Sequence, residues 1–246
     1  MKFKYLLVLP LLAASLQAAD VNDLIFAPRA NNTELILIDC SSSATGSLEI
    51  PSTYLGVPVT SIGNEAFRDC TGLTSITIPD SVTSIGDRAF SRCTSLSSIT
   101  IPDSVPSIGE YAFSECTSLT SVNIPNGVTS IGDGAFSRCT RLTSITIPSS
   151  VTSIGPYAFS LCDSLTSISI PDSVTAIGDG AFQNCTSLTN IEIPYRVTSI
   201  GFSAFYGCAS LTSISIPDNV TSIGVYAFYD CSSLSSVTIG NSVTSI

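Results

Sequence analysis

Apolar residues recur along this chain at fixed places in a 23-residue frame, seen most plainly from Leu73 to Ser95 (LTSITIPDSVTSIGDRAFSRCTS). Phe returns in register at Phe67, Phe90, Phe113, Phe136, Phe159, Phe182, Phe205 and Phe228. Cys follows three residues later each time, from Cys70 to Cys231, and Gly stands four residues before, from Gly63 to Gly224. A fixed period of this length predicts a solenoid, in which a coil buries its apolar face only against its neighbours.

Within one unit, Ser75, Ile76, Thr77 and Ile78 alternate polar and apolar, which predicts a short strand with Ile76 and Ile78 inward. Pro79 ends it, lacking an amide donor, and Asp80 and Ser81 favour a corner. Val82 to Ile85 is again extended, so a second ladder is conceivable. Pro106, at the Thr place of an interior coil, argues against a continuous one, because that amide would have to donate to a neighbouring coil. After Gly86, Asp87 is placed to cap a short helical turn that points Ala89, Phe90 and Cys93 into the stack. Eight inward residues per coil result. A large apolar side chain contributes roughly 1.5–3 kcal/mol on burial, which offsets the ordering entropy of a coil only when both faces are covered.

The unit LxxIxIPxxVxxIGxxAFxxC, carried by Leu73, Ile76, Ile78, Pro79, Val82, Ile85, Gly86, Ala89, Phe90 and Cys93, resembles the BspA-like leucine-rich repeat family, the 23-residue Treponema-type class. The resemblance covers about four-fifths of the chain. It implies a leucine-rich-repeat solenoid with one parallel strand and a short helical turn per coil, in a right-handed curved stack with an N-terminal β cap. It also implies a secreted or cell-surface protein of adhesion type. It implies no common ligand, no catalytic residues and no cofactor.

The ends depart from the frame. Lys2 and Lys4, the apolar run Tyr5 to Leu12 and small residues at Ala18 and Ala19 read as a secretory signal peptide over residues 1–19. Residues 20–50 hold three short strand patterns, Leu24 to Ala27, Leu35 to Ile38 and Leu48 to Ile50, and fit an N-terminal cap. The solenoid then fills residues 51–246, its first coil lengthened by Ser52 to Pro58. The sequence stops inside a unit at Ile246. An uncapped apolar edge invites self-association; either the chain is a truncated member of a longer family or the end is a contact surface, and the lack of partner-like features there favours truncation.

Charge narrows the partners. The formal net charge is -10, and both lysines lie in the leader, so nucleic acid and anionic membrane are poor partners. Nine cysteines in an exported chain suggest disulfides. Helical turns packed about 8–10 Å apart would hold the eight repeated ones beyond bonding distance, leaving buried thiols, with Cys40 and Cys70 the one pair placed to bridge. One Cys per coil and no His make a poor zinc site.

The same scarcity weakens catalysis. There is no His for a general base, and Asp80 and Asp103, stacked in adjacent turns, also suit a Pro-containing corner. The sequence therefore predicts a non-enzymatic protein. Two recognition surfaces stand out. Thr77, Thr100, Asn123, Thr146, Ser169, Glu192, Ser215 and Thr238 form an outward file on the strand face, of the kind an ice- or carbohydrate-binding solenoid uses, although Asn123 and Glu192 interrupt it. Tyr195, Phe202, Tyr206, Tyr226 and Tyr229 stand where other copies are polar or small, and aromatic residues are favoured anchors in interfaces. The expected partner is an extracellular or cell-surface protein, or a glycan on it; the rival is a structural repeat module or gene fragment with no ligand of its own.

Overall fold

The structure is a computed structural model that describes residues 19–30 and 32–245. Residues 1–18 of the expected signal peptide lie outside them. No helix among the described residues is long and apolar enough to cross a membrane.

The chain winds into a parallel β-solenoid. At its N-terminal end, β1 (Leu24–Pro28) pairs antiparallel with β2 (Leu35–Cys40), which runs parallel to the later β5 (Val57–Ile62). Between them, β3 (Thr45–Glu49) starts a separate ladder by pairing with β6 (Gly72–Thr77). The insertion in the first coil folds as a hairpin, β4 (Thr53–Tyr54) against β5. Leu55 and Gly56 at its tip have φ of 51° and 78°, as a two-residue primed turn requires. Tyr54 lies flat on Phe26 with ring centroids 4.6 Å apart, tying this hairpin to β1.

Where strands of successive coils pair, the offset is 23 residues, as between Ser75, Ile76 and Thr77 and Ser98, Ile99 and Thr100; this first ladder is interrupted between Thr100 and Ser121, between Thr146 and Ser167 and between Ile191 and Ser213. Ile76, Ile78, Val82 and Ile85 point inward with Leu73, Ala89, Phe90 and Cys93, all at 6% exposure or less. Down the axis the phenylalanines form a column, with centroids 5.0–5.7 Å apart and rings within 12° of parallel from Phe67 to Phe228.

The second ladder forms, and it is divided at Pro106. The segment Ser84–Ile85 pairs back to β5, whereas Ser107–Ile108 begins a new sheet that continues to Ser222–Ile223. In the flanking coils the Thr amide of this column donates to the preceding coil, as Thr83 does to Thr60 at 2.9 Å and Thr129 to Pro106 at 2.9 Å. Pro106 has no such hydrogen to give.

The expected helical turn is absent. From residue 88 to 93 the amides alternate between two directions: Arg88, Phe90 and Arg92 donate to Glu110, Ala112 and Ser114 of the next coil, while Ala89, Ser91 and Cys93 donate three residues back. Arg88 (φ 54°) and Arg92 (φ 62°) are left-handed, which breaks any helix. Two left-handed columns therefore run along the solenoid, one through Glu65, Arg88, Tyr111, Gly134, Tyr157, Gly180, Ser203 and Tyr226, the other through Asp69, Arg92, Glu115, Arg138, Leu161, Asn184, Gly207 and Asp230. Asp87 does not cap its own turn either; its Oδ1 accepts the Glu110 amide at 3.0 Å, one coil on. The Gly86 column is required by close approach: a Cβ there would come within 2.7 Å of the Gly63 carbonyl carbon in the coil below.

Candidate functional site

Four of the five aromatic residues singled out in the sequence come together on the turn face of the last coils. Tyr206 stacks on Tyr229 at 5.4 Å with 15° between planes, because the two occupy one column in adjacent coils. Tyr226 meets Tyr229 edge-on at 5.7 Å and Phe202 edge-on at 5.8 Å. Phe202, Tyr226 and Tyr229 remain 46–58% exposed, and Tyr206 is half-buried beneath them. The left-handed backbone at Ser203 and Tyr226 turns these neighbours outward while Phe205 and Phe228 continue the internal column.

Earlier tyrosines of the Tyr226 column are packed differently. Tyr111 and Tyr157 fold over glycines of the next coil: a Cβ on Gly134 would press against Tyr111 Cε1, and one on Gly180 against Tyr157 Cε1. The Arg88 guanidinium carbon also lies 5.2 Å from the centre of the Tyr111 ring, a cation–π contact. The arginines of the early coils are likewise engaged. Arg68 pairs with Glu65 at 2.8 Å, and Arg92 lies 3.5 Å from Glu115.

Tyr195 stands apart from the cluster. It lines a shallow groove with Ser169, Asp172, Glu192 and Pro217 beside the strand face. Along that face Thr77, Thr100, Asn123, Thr146, Ser169, Glu192, Ser215 and Thr238 are all exposed. The hydroxyls that do bond lie in other columns: Thr83, Thr129, Thr152, Thr198 and Thr221 each donate to a carbonyl one coil back, at 3.2–3.3 Å. The Asp80–Asp103 corner is structural in at least one member, since Asp103 Oδ1 accepts the Asn126 amide at 3.1 Å.

All nine cysteines are free and buried. The helix spacing expected to separate them does not exist, and a different arrangement accounts for them: each thiol from Cys93 to Cys231 donates to the carbonyl of the Phe 26 residues earlier, at 3.0–3.2 Å. Burial pushes the Cys139 and Cys185 thiols up to about 12. At the N-terminal end, Cys70 donates to the Cys40 carbonyl at 3.7 Å and the Cys40 thiol donates to the Ser41 carbonyl at 3.6 Å; the two neighbouring thiols hold the pKa of Cys40 above its ordinary value and that of Cys70 below it. No three His, Cys, Asp or Glu among the described residues gather as a metal-binding group.

Sequence reasoning missed the left-handed columns and the thiol–carbonyl ladder. The first had a signal, because Gly134, Gly180 and Gly207 share columns with Arg, Tyr and Asp. The second had none, since a buried thiol donor and a buried apolar thiol read alike in sequence.

Comparison with known proteins agrees with this geometry. The family described as BspA type leucine rich repeat region matches residues 41–166 and 152–246, in six copies. A crystal structure of a Treponema pallidum leucine-rich repeat protein superposes with a TM-score of 0.65 at 28% identity, covering 89% of this chain and 91% of that one. A leucine-rich repeat protein from Bacteroides ovatus gives 0.58 at 28% identity, over 92% of this chain and 77% of that one. The pneumococcal vaccine antigen PcpA shares the fold at 19% identity, with a TM-score of 0.63 over 92% of this chain and 71% of that one. A search of curated proteins returns no match.

Proposed function

Because the chain belongs to the BspA-type leucine-rich repeat family, we propose that it is an exported, non-enzymatic binding protein that attaches to an extracellular or cell-surface protein. The single observation that carries this reading is the exposed cluster of Phe202, Tyr206, Tyr226 and Tyr229, rings packed on one another on the turn face. Rings held by their neighbours lose little freedom on binding, and aromatic anchors dominate interface energetics. Export through residues 1–19, a cap over 20–50 and adhesion as the outcome of binding belong to the same reading. Its test is attachment to an immobilised extracellular-matrix extract by the wild type and by the triple variant Tyr206→Ala, Tyr226→Ala, Tyr229→Ala. Loss of attachment in a folded variant supports the reading, and unchanged attachment removes the cluster from it.

A second reading, self-association, is favoured by the strand Ser236–Ile239, where Val237 and Ile239 are 46% and 47% exposed. Light scattering across a concentration series separates the two: growth relieved by Val237→Thr and Ile239→Thr supports association through this strand, and a constant mass excludes it.

A further inference from the structure

The coil from Leu188 to Ser210 breaks the repeat twice on one face, with Glu192 as the lone carboxylate of the outward strand file between Thr77 and Thr238 and Tyr195 as the lone aromatic of the corner column. The fold brings both to one groove of about 450 Å³, walled by Pro171, Pro194 and Pro217. Glu192 stands between the short residues Ser169, which lines the groove, and Ser215, where four other coils carry Thr and one carries Asn123. Tyr195 stands between Asp172 and Asp218 of the adjoining coils. Its backbone is held by Asn219, whose Nδ2 donates to the Tyr195 carbonyl at 2.8 Å, while the ring is 66% exposed.

Charge identifies what fits. Asp172 lines the groove with Glu192, and neither carboxylate is in an ion pair among the described residues. Asp218, on the far side of Tyr195, spends Oδ1 on the Asn241 amide at 2.9 Å. Arg196 follows Tyr195 in the chain and is exposed, but it does not line the groove. The chain as a whole carries a net charge of -10. An aromatic face among carboxylates attracts a cation through both its quadrupole and the Coulomb field.

We propose that Tyr195, Glu192 and Asp172 form a subsite for an arginine or lysine side chain of a basic segment on a partner protein. The cation lies over the Tyr195 ring with its N–H groups on the Glu192 and Asp172 carboxylates, and Ser169 borders the entry. This site deepens the protein-binding reading and lies apart from the aromatic cluster, so the two are tested separately.

The probe is a hexaarginine peptide titrated into the chain by calorimetry, against Tyr195→Ser and Glu192→Ser. Both substitutions install the residue that other coils carry at these places (Ser149; Ser169 and Ser215), so folding is retained. Wild type is expected to bind in a salt-sensitive manner, and each variant to bind roughly fivefold to tenfold more weakly, as the loss of one cation–π or ion-pair contact gives. The triple tyrosine variant at 206, 226 and 229 should bind the peptide as wild type does, whatever it does to matrix attachment. Equal affinity in wild type, Tyr195→Ser and Glu192→Ser would reduce the binding to diffuse attraction and overturn the site, as would no binding, or equally tight binding of an uncharged hexaserine peptide.

Discussion

The Cys93 thiol donates to the Phe67 carbonyl oxygen at 3.0 Å, crossing from one coil to the one before it. The same Phe67 oxygen accepts the Cys70 amide at 3.1 Å, so both lone pairs of a buried carbonyl are engaged. Repeated to Cys231, this bond makes the cysteine column a second set of rungs beside the amide ladders. It also explains how the Phe–Cys spacing survives without a helix.

Alkaline pH should therefore unfold the solenoid before it titrates the native thiols. The ordinary thiol value is 9.0, and Cys139 and Cys185 are held near 12 by burial. Between these values the unfolded chain has lost the proton and the folded chain has kept it, so stability is full below pH 9 and falls as pH rises. Each such thiol removes about 1.4 kcal/mol per pH unit in that window. Urea midpoints measured from pH 7 to 11 should decline steeply above 9, and Cys139→Ala with Cys185→Ala should flatten the decline.

The left-handed columns predict opposite signs for two exchanges. Gly180 has φ 58° and sits beneath the Tyr157 ring, so Gly180→Ala should cost about 1–2 kcal/mol in denaturant unfolding. Asp230, exposed at φ 59°, should gain about 0.5–1 kcal/mol as Asp230→Gly.

Pro106→Thr should close the gap in the second ladder. The new amide would face the Thr83 carbonyl as Thr129 faces that of residue 106, a gain of about 0.5–1.5 kcal/mol. Hydrogen exchange should show protection at residue 106 matching that of Thr129.

Mild oxidation with a disulfide reagent should join Cys40 to Cys70 and leave the other seven thiols free, because Cys70 lies against Cys40, donating to its carbonyl at 3.7 Å, while each of the other seven thiols is tied to a Phe carbonyl. Peptide mapping after alkylation in denaturant reads the outcome directly; a cross-link between two repeat cysteines would refute the thiol–carbonyl ladder.

Much of this architecture is legible in the residues. The period placed the first strand of each coil and all eight inward positions, left a second strand open, and Pro106 marked where that second ladder divides. What stayed hidden was the segment from Gly86 to Cys93. Its i and i+3 spacing suits a helical turn, but the amides of Arg88, Phe90 and Arg92 bond to the next coil, and inter-coil pairing prevailed over local propensity. For the candidate site, column membership linked Tyr206 to Tyr229, whereas the separation of Tyr195 depended on which face each column takes. The groove at Glu192 and Tyr195 was present as two unrelated irregularities until the corner brought them together.

The central claim, recognition through the terminal aromatic cluster, is tested most directly by comparing two sets of tyrosine substitutions in one attachment assay. The cluster variant changes Tyr206, Tyr226 and Tyr229 to Ala; the control changes Tyr111 and Tyr157, which share the Tyr226 column but lie over Gly134 and Gly180. On a surface coated with extracellular-matrix extract, the account predicts at least tenfold weaker attachment for the cluster variant and wild-type attachment for the control, with both still folded by circular dichroism. Equal attachment by wild type and the cluster variant would contradict it.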